Sequence, residues 1–184
     1  ANGGKPMETQ IIYGSQYGAA KRYAHRMSER TGIPMIPYDK AEDLTGCSTI
    51  IYIGGLYAGG VLGLARTMRN PNFKPKRWFL ITVGVSDPQD EETRRAIREQ
   101  LQKQIPQEWF SKAQIFHLRG ALDYEALKPS HRILMSLLYH RTKKQDAETL
   151  SAEDRAFLET YQKKVDFVDL NQLEPILEQI QNEL

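Results

Sequence analysis

Apolar residues fall into short β-branched runs that alternate with amphipathic stretches. Gln10-Ile11-Ile12-Tyr13 opens the series and breaks at Gly14. The chain then passes through Ser15 to Ala19 into a segment where Ala20, Tyr23, Ala24 and Met27 recur at i, i+3, i+4 and i+7. That spacing predicts a strand feeding a helix, with Gly32 as its stop. Ile33 to Tyr38 carries Pro34 and Pro37 and predicts an edge strand. Asp39 to Leu44 is polar and predicts a short helix or turn. Ser48 to Ile53 is apolar without alternation, as a strand buried on both faces requires. It runs into Gly54-Gly55-Leu56-Tyr57-Ala58-Gly59-Gly60, a predicted loop. Leu62 to Met68 predicts a helix closed by Asn70-Pro71. Trp78 to Val83 is the next buried strand and ends at Gly84. Asp87-Pro88 predicts an N-cap and first helical position. Asp90, Glu91 and Glu92 then lie against the helix dipole, and Ile97, Leu101 and Ile105 form the buried stripe. Gln114 to Leu118 predicts the fifth strand.

The pattern changes at Gly120. Ala121 to Leu127 is irregular. Ser130 is a candidate cap for a helix through Tyr139 that is apolar nearly all round, followed by a basic loop from His140 to Lys144. Ser151 predicts a second cap, with Asp154 in the first turn and Phe157, Tyr161 and Val165 on one face. Val165 to Val168 reads as a short returning strand. Asn171 and Glu174 suggest a capping box before the amphipathic helix marked by Leu173, Ile176, Leu177, Ile180 and Leu184. Strands alternating with helices predict an α/β fold: a three-layer α/β/α arrangement on a doubly wound, parallel, five-stranded sheet. A single domain is expected over residues 7–184, with a helical insertion at 120–165 and a tag remnant or disordered N-terminus at 1–6.

Composition narrows the class. A chain of 184 residues with 40% hydrophobic and 26% charged residues reads as a globular domain. No apolar run approaches the ~20 residues of a membrane span. One cysteine, Cys47, excludes an internal disulfide framework and fits a reducing cytoplasm; it reads as a small core residue. Four scattered histidines supply no metal-ligand spacing. A formal net charge of +2 gives no nucleic-acid signal.

The chemistry lies in the strand-to-helix loops. With strand order 2-1-3-4-5, the loops after strands one, three and four meet at the carboxyl edge of the sheet, where ligands bind. Ser15-Gln16-Tyr17-Gly18-Ala19-Ala20 combines small residues with a helix N-terminus, whose free N–H groups and positive dipole end suit an anion. Read alone, the same residues are an ordinary turn, and Gly54 to Gly60 is a flexible loop. Together they favour a flat, phosphate-bearing ligand with Tyr57 stacking on its ring. His117 ends the fifth strand and has a structural reading beside a functional one; Asp87 is explained equally as an N-cap. A P-loop is excluded because no Gly-x-x-x-x-Gly-Lys-Ser/Thr is present.

At these residues the chain resembles the flavodoxin superfamily. Its phosphate loop reads Thr/Ser-x-Thr-Gly-x-Thr, and Ser15 and Gly18 match it, while Tyr17 and Ala20 replace two hydroxyl residues. The resemblance implies one non-covalent FMN. The phosphate would sit on Ser15 to Ala20. Leu56, Tyr57, Ala58, Gly59 and Gly60 would lie against one flavin face and the N5 edge, and Gly84, Val85, Ser86 and Asp87 against the pyrimidine end. Arg119-Gly120-Ala121-Leu122-Asp123-Tyr124 and the helices after it resemble the flavodoxin-domain branch that includes menaquinone-dependent protoporphyrinogen oxidase. This implies electron transfer, with a redox partner protein or a quinone-like acceptor. Lys+Arg 25 against Asp+Glu 23 is unlike the strongly acidic carriers of that superfamily. The apolar segment around Ile133 to Tyr139, with Arg132, Arg141, Lys143 and Lys144 at its ends, reads as a buried helix or as a docking element for a partner or an anionic membrane surface. The rival from another class is a flavodoxin-fold module that has lost tight FMN binding and serves as an interaction domain.

Overall fold

The computed structural model describes residues 8–57 and 60–184. Five strands form a parallel sheet: β1 (Thr9–Gly14), β2 (Met35–Pro37), β3 (Thr49–Tyr57), β5 (Arg77–Gly84) and β6 (Ala113–Arg119). Their order is β2-β1-β3-β5-β6. The short β4 (Gly60–Val61) pairs antiparallel with the end of β3. Leaving β4 aside, this is the predicted 2-1-3-4-5 order, with the proline-bearing strand at the edge. The strands carry continuous apolar runs because both faces are covered. Ile11, Ile51, Ile53, Phe79 and Ile81 point to one side, where α1 (Ala19–Thr31) and α7 (Leu173–Glu183) supply Tyr23, Met27, Leu177 and Ile180. Ile12, Ile50, Tyr52, Trp78 and Leu80 point to the other. There α2 (Leu64–Met68), α3 (Glu91–Gln104) and α4 (Gln107–Phe110) bring Leu64, Ile97, Leu101 and Phe110. Each such side chain taken from water contributes about 1.5–3 kcal/mol. Cys47 lies in the second core.

Several local expectations are corrected. The 54–60 stretch is not a plain loop: β3 continues through Tyr57 and folds back so that Leu56 faces Val61. Ala58 and Gly59 lie outside the described residues. The cap of α3 is Asp90, whose carboxylate accepts from Glu92 N at 3.2 Å. Asp87 instead accepts from Gln89 N at 2.9 Å, closing a turn one step earlier. The polar 39–44 stretch yields only a single tight turn, Tyr38–Lys40. Helix α7 starts without a side-chain cap, and Asp169, not Asn171, closes the turn before it.

The segment after Gly120 is held by two short strands, β7 (Ala121–Asp123) and β8 (Lys164–Asp166), paired antiparallel. Between them lie α5 (Pro129–Lys143) and α6 (Ala152–Thr160). Helix α5 begins at Pro129, not after a Ser130 cap, and absorbs the predicted basic loop into its last turn. Cations there oppose the negative dipole end, so helix is favoured. Val165 belongs to β8, not to the α6 face. The α6 cap is as expected: Ser151 and Asp154 exchange hydrogen bonds in a capping box. Tyr139 stacks on Tyr161 at 3.9 Å between centroids, with Tyr124 edge-on to Tyr161 at 5.4 Å. Glu92 ties α6 to α3, accepting from Ala152 N at 3.2 Å and pairing with Arg155 at 3.0 Å. Among the described residues, no helix is long and apolar enough to cross a membrane.

Candidate functional site

The carboxyl edge of the sheet is shaped by close backbone approach. Gly14 is buried at the end of β1. A Cβ there would overlap the Leu62 carbonyl oxygen. That carbonyl accepts from Tyr52 Oη at 2.5 Å, and Leu62 N donates to Gly55 O at 2.9 Å. Leu62, just after β4, is thereby drawn against the ends of β1 and β3. Gly18 caps α1 at φ 100, a left-handed conformation open to glycine at no steric cost. Ser15 Oγ accepts from Gly18 N at 3.1 Å and fixes the loop.

The third loop is held from β6. Arg119 donates twice to Val85 O, at 2.7 and 3.2 Å, with its guanidinium over the Phe167 ring at 3.6 Å. Gly120 N donates to Gly84 O at 2.7 Å. Arg119 and Gly120 are therefore positioning residues for Gly84 to Ser86.

These loops open onto a cavity of about 620 Å3. Ser15, Gln16, Tyr17, Ala19, Ala20, Leu56, Tyr57, Gly84, Val85 and Ser86 line it. Gly18, Gly60 and Asp87 do not, although each adjoins a residue or segment that does. Ala20 lines the cavity while being only 2% exposed, packing in the core with Tyr23 and Ile53.

Tyr17 does not turn to the loop centre. Its hydroxyl is hydrogen-bonded to His131 Nδ1. The His131 ring also lies 4.8 Å from Tyr57 between centroids. One imidazole from α5 thus touches residues on both of the first two loops. No local pattern marks His131, because it arrives from 114 residues away. His117 also lines the cavity, on the face toward α3. Its Nδ1 is 2.6 Å from Thr82 Oγ1. Burial, helped by the Arg94 and Arg98 charges, pushes its pKa down to about 4, so the ring is neutral at pH 7. Both the structural and the cavity-lining readings of this histidine therefore hold together. The remaining wall comes from α3, α5 and α6.

The chain matches the family model described as "Flavodoxin domain" over residues 10–149. No curated protein matches it. Among solved structures it is similar to a flavoprotein from Lactobacillus acidophilus, crystallised in complex with FMN. The identity is 13% and the TM-score 0.37, over 61% of this chain and 92% of that one. A likeness that distant carries no argument about this chain. The family match spans well over half of the sequence and falls on the sheet and loops just described, and on that ground the chain belongs to the flavodoxin domain family.

Proposed function

We propose that this chain binds one FMN non-covalently in the cavity and passes electrons between a donor and an acceptor. One observation carries the reading: a glycine-capped helix N-terminus, a strand-end tyrosine and a loop pinned by Arg119 share a single cavity. The first-turn amides of α1 have no intrahelical partner and lie at the positive dipole end. No acidic residue sits in that turn. A Cβ on Gly18 would meet nothing within 4 Å, so there is room before the amides. This donor set fits a phosphate without the two hydroxyls absent at Tyr17 and Ala20. Tyr57 offers a ring face, and the backbone of Gly84 to Ser86 offers donors and acceptors to the pyrimidine end. Bound there, the isoalloxazine supplies the redox chemistry. The protein binds it, orients it and screens it from water.

FMN is expected rather than FAD, because the cavity has one phosphate-sized nest and the chain has no dinucleotide fingerprint. Titration of apoprotein should quench FMN fluorescence at one-to-one stoichiometry. Preferential saturation by FAD would overturn the reading.

The Arg119 to Tyr124 element supports the branch that includes menaquinone-dependent protoporphyrinogen oxidase. On that reading the partner is a redox protein or a quinone-like acceptor, and the single cysteine supports a cytoplasmic location. We assign the partner contact to α5. Ile133 and Leu137 are 65% and 66% exposed on a helix without an acidic residue, and Arg141, Lys143 and Lys144 cluster at its end. This pattern suits a shallow contact with an anionic bilayer, where each cation adds about 1 kcal/mol. The protein should co-sediment with anionic vesicles at low salt, and reversing those three cations to Glu should abolish it. A wild-type protein that ignores such vesicles would refute the membrane contact.

A further inference from the structure

We infer that His131, carried on α5, is a positioning residue of the flavin site: it holds the Tyr17 turn in shape for the phosphate and Tyr57 in place for the ring. This role rests on the flavin reading proposed above. Tyr17 sits in a turn closed at its base by Ser15, whose Oγ accepts from Gly18 N at 3.1 Å. The tip of its side chain is fixed by the hydrogen bond to His131 Nδ1. The two rings meet edge-on, 6.0 Å apart between centroids and 85° between planes. The same imidazole lies 4.8 Å from the Tyr57 ring, tilted by 45°. One side chain thus sets the separation of two loops that arrive from β1 and β3.

The seating of α5 makes that contact matter. His131, Leu134, Met135, Leu138 and Thr142 share one face of the helix and wall the cavity. Thr142, in the last turn, is the one buried residue of α5, and Tyr139 stacks on Tyr161 just before it. The helix is therefore anchored at its C-terminal end. Among the described residues, the bond between His131 and Tyr17 is the one hydrogen bond that α5 makes with the flavin loops. A helix with so little buried is among the parts of a fold that open most readily. The Tyr17 contact ties its first turn down, and in return α5 braces the turn whose amides face the phosphate. A preorganised turn loses less freedom when the ligand binds. The two contacts of His131 then act on different parts of the flavin. The Tyr17 contact serves the phosphate, which riboflavin lacks, and the Tyr57 contact serves the ring, which FMN and riboflavin share.

Fluorescence titration of apoprotein with FMN and with riboflavin separates the two contacts. His131→Phe keeps a ring against Tyr57 and loses the hydrogen bond to Tyr17. Its preference for FMN over riboflavin should fall by about two- to tenfold, the worth of one net hydrogen bond. Tyr17→Phe should give the same fall, and the double variant no more than either alone, because both remove one shared contact. His131→Asn keeps a polar partner for Tyr17 and loses the ring. Its preference for FMN should match wild type, while both affinities fall by about two- to tenfold. Thermal melts check that each variant folds. His131 has no such role if, in folded variants, His131→Phe leaves the FMN preference unchanged, if the double variant shows the sum of two independent losses, or if His131→Asn lowers the preference as much as His131→Phe. Any of these in a protein whose wild type binds FMN leaves the flavin reading standing. A wild type that binds neither flavin overturns that reading and the role of His131 together.

Discussion

Gly14→Ala is expected to abolish FMN binding and to lower the melting temperature by roughly 4–24 °C. The added methyl would overlap the Leu62 carbonyl oxygen, which is backbone and cannot rotate away. Overpacking of this kind costs about 1–3 kcal/mol. The same carbonyl holds the Tyr52 hydroxyl, and displacing it leaves a buried phenol without its acceptor, for about 1–3 kcal/mol more. In a domain of this size each kcal/mol moves the melting temperature by about 2–4 °C. Binding suffers further because Leu62, which lines the cavity, must move off the end of β1. Gly60→Ala is the control: its nearest atoms belong to the Gln104 side chain at 3.4 Å, which can yield. A Gly14→Ala protein that melts and binds FMN like wild type would show that the close approach is not needed.

The second large effect is on the acid side. His117 resists protonation down to about 4 in the folded state, whereas an unfolded histidine takes up its proton near 6.5. Between those values the unfolded chain binds more protons than the folded one. Stability is therefore lost as pH falls from 6.5 to 4, and the contribution is fully present above 6.5. The two pKa values, 6.5 and about 4, set an upper limit of about 3 kcal/mol. Urea unfolding at pH 7 and pH 4 measures the loss, and His117→Asn should flatten it. An equal acid loss in that variant would place the sensitive group elsewhere.

Much of this architecture is legible in the sequence because periodicity reports burial. Trp78 to Val83 is apolar without alternation, and both faces of β5 are covered; the i, i+3, i+4, i+7 stripe of α1 is the buried stripe. The same stripe already includes Ala20, which the phosphate-loop pattern also claims, and the residue both packs in the core and lines the cavity. Asp87 and Asp90 are equally good caps by residue type, and only the path of the loop makes Asp90 the one that reaches Glu92 N. The β3–β4 hairpin is hidden by its glycines, which signal freedom but not the direction of the return. His131 and the α3–α6 wall are invisible for a different reason. They reach the loops across the fold, and nothing in their own neighbourhoods marks a site.

In the proposed function, backbone amides at the α1 N-terminus hold a phosphate without the usual hydroxyls. Amide 1H–15N spectra of labelled protein titrated with FMN, and separately with riboflavin, test it most directly. The signals of residues 15–21 should shift with FMN and stay nearly still with riboflavin, while Tyr57 and Val85 should shift with both. If FMN leaves residues 15–21 unmoved, or riboflavin moves them equally, the phosphate is not held there and the assignment of the cavity is wrong.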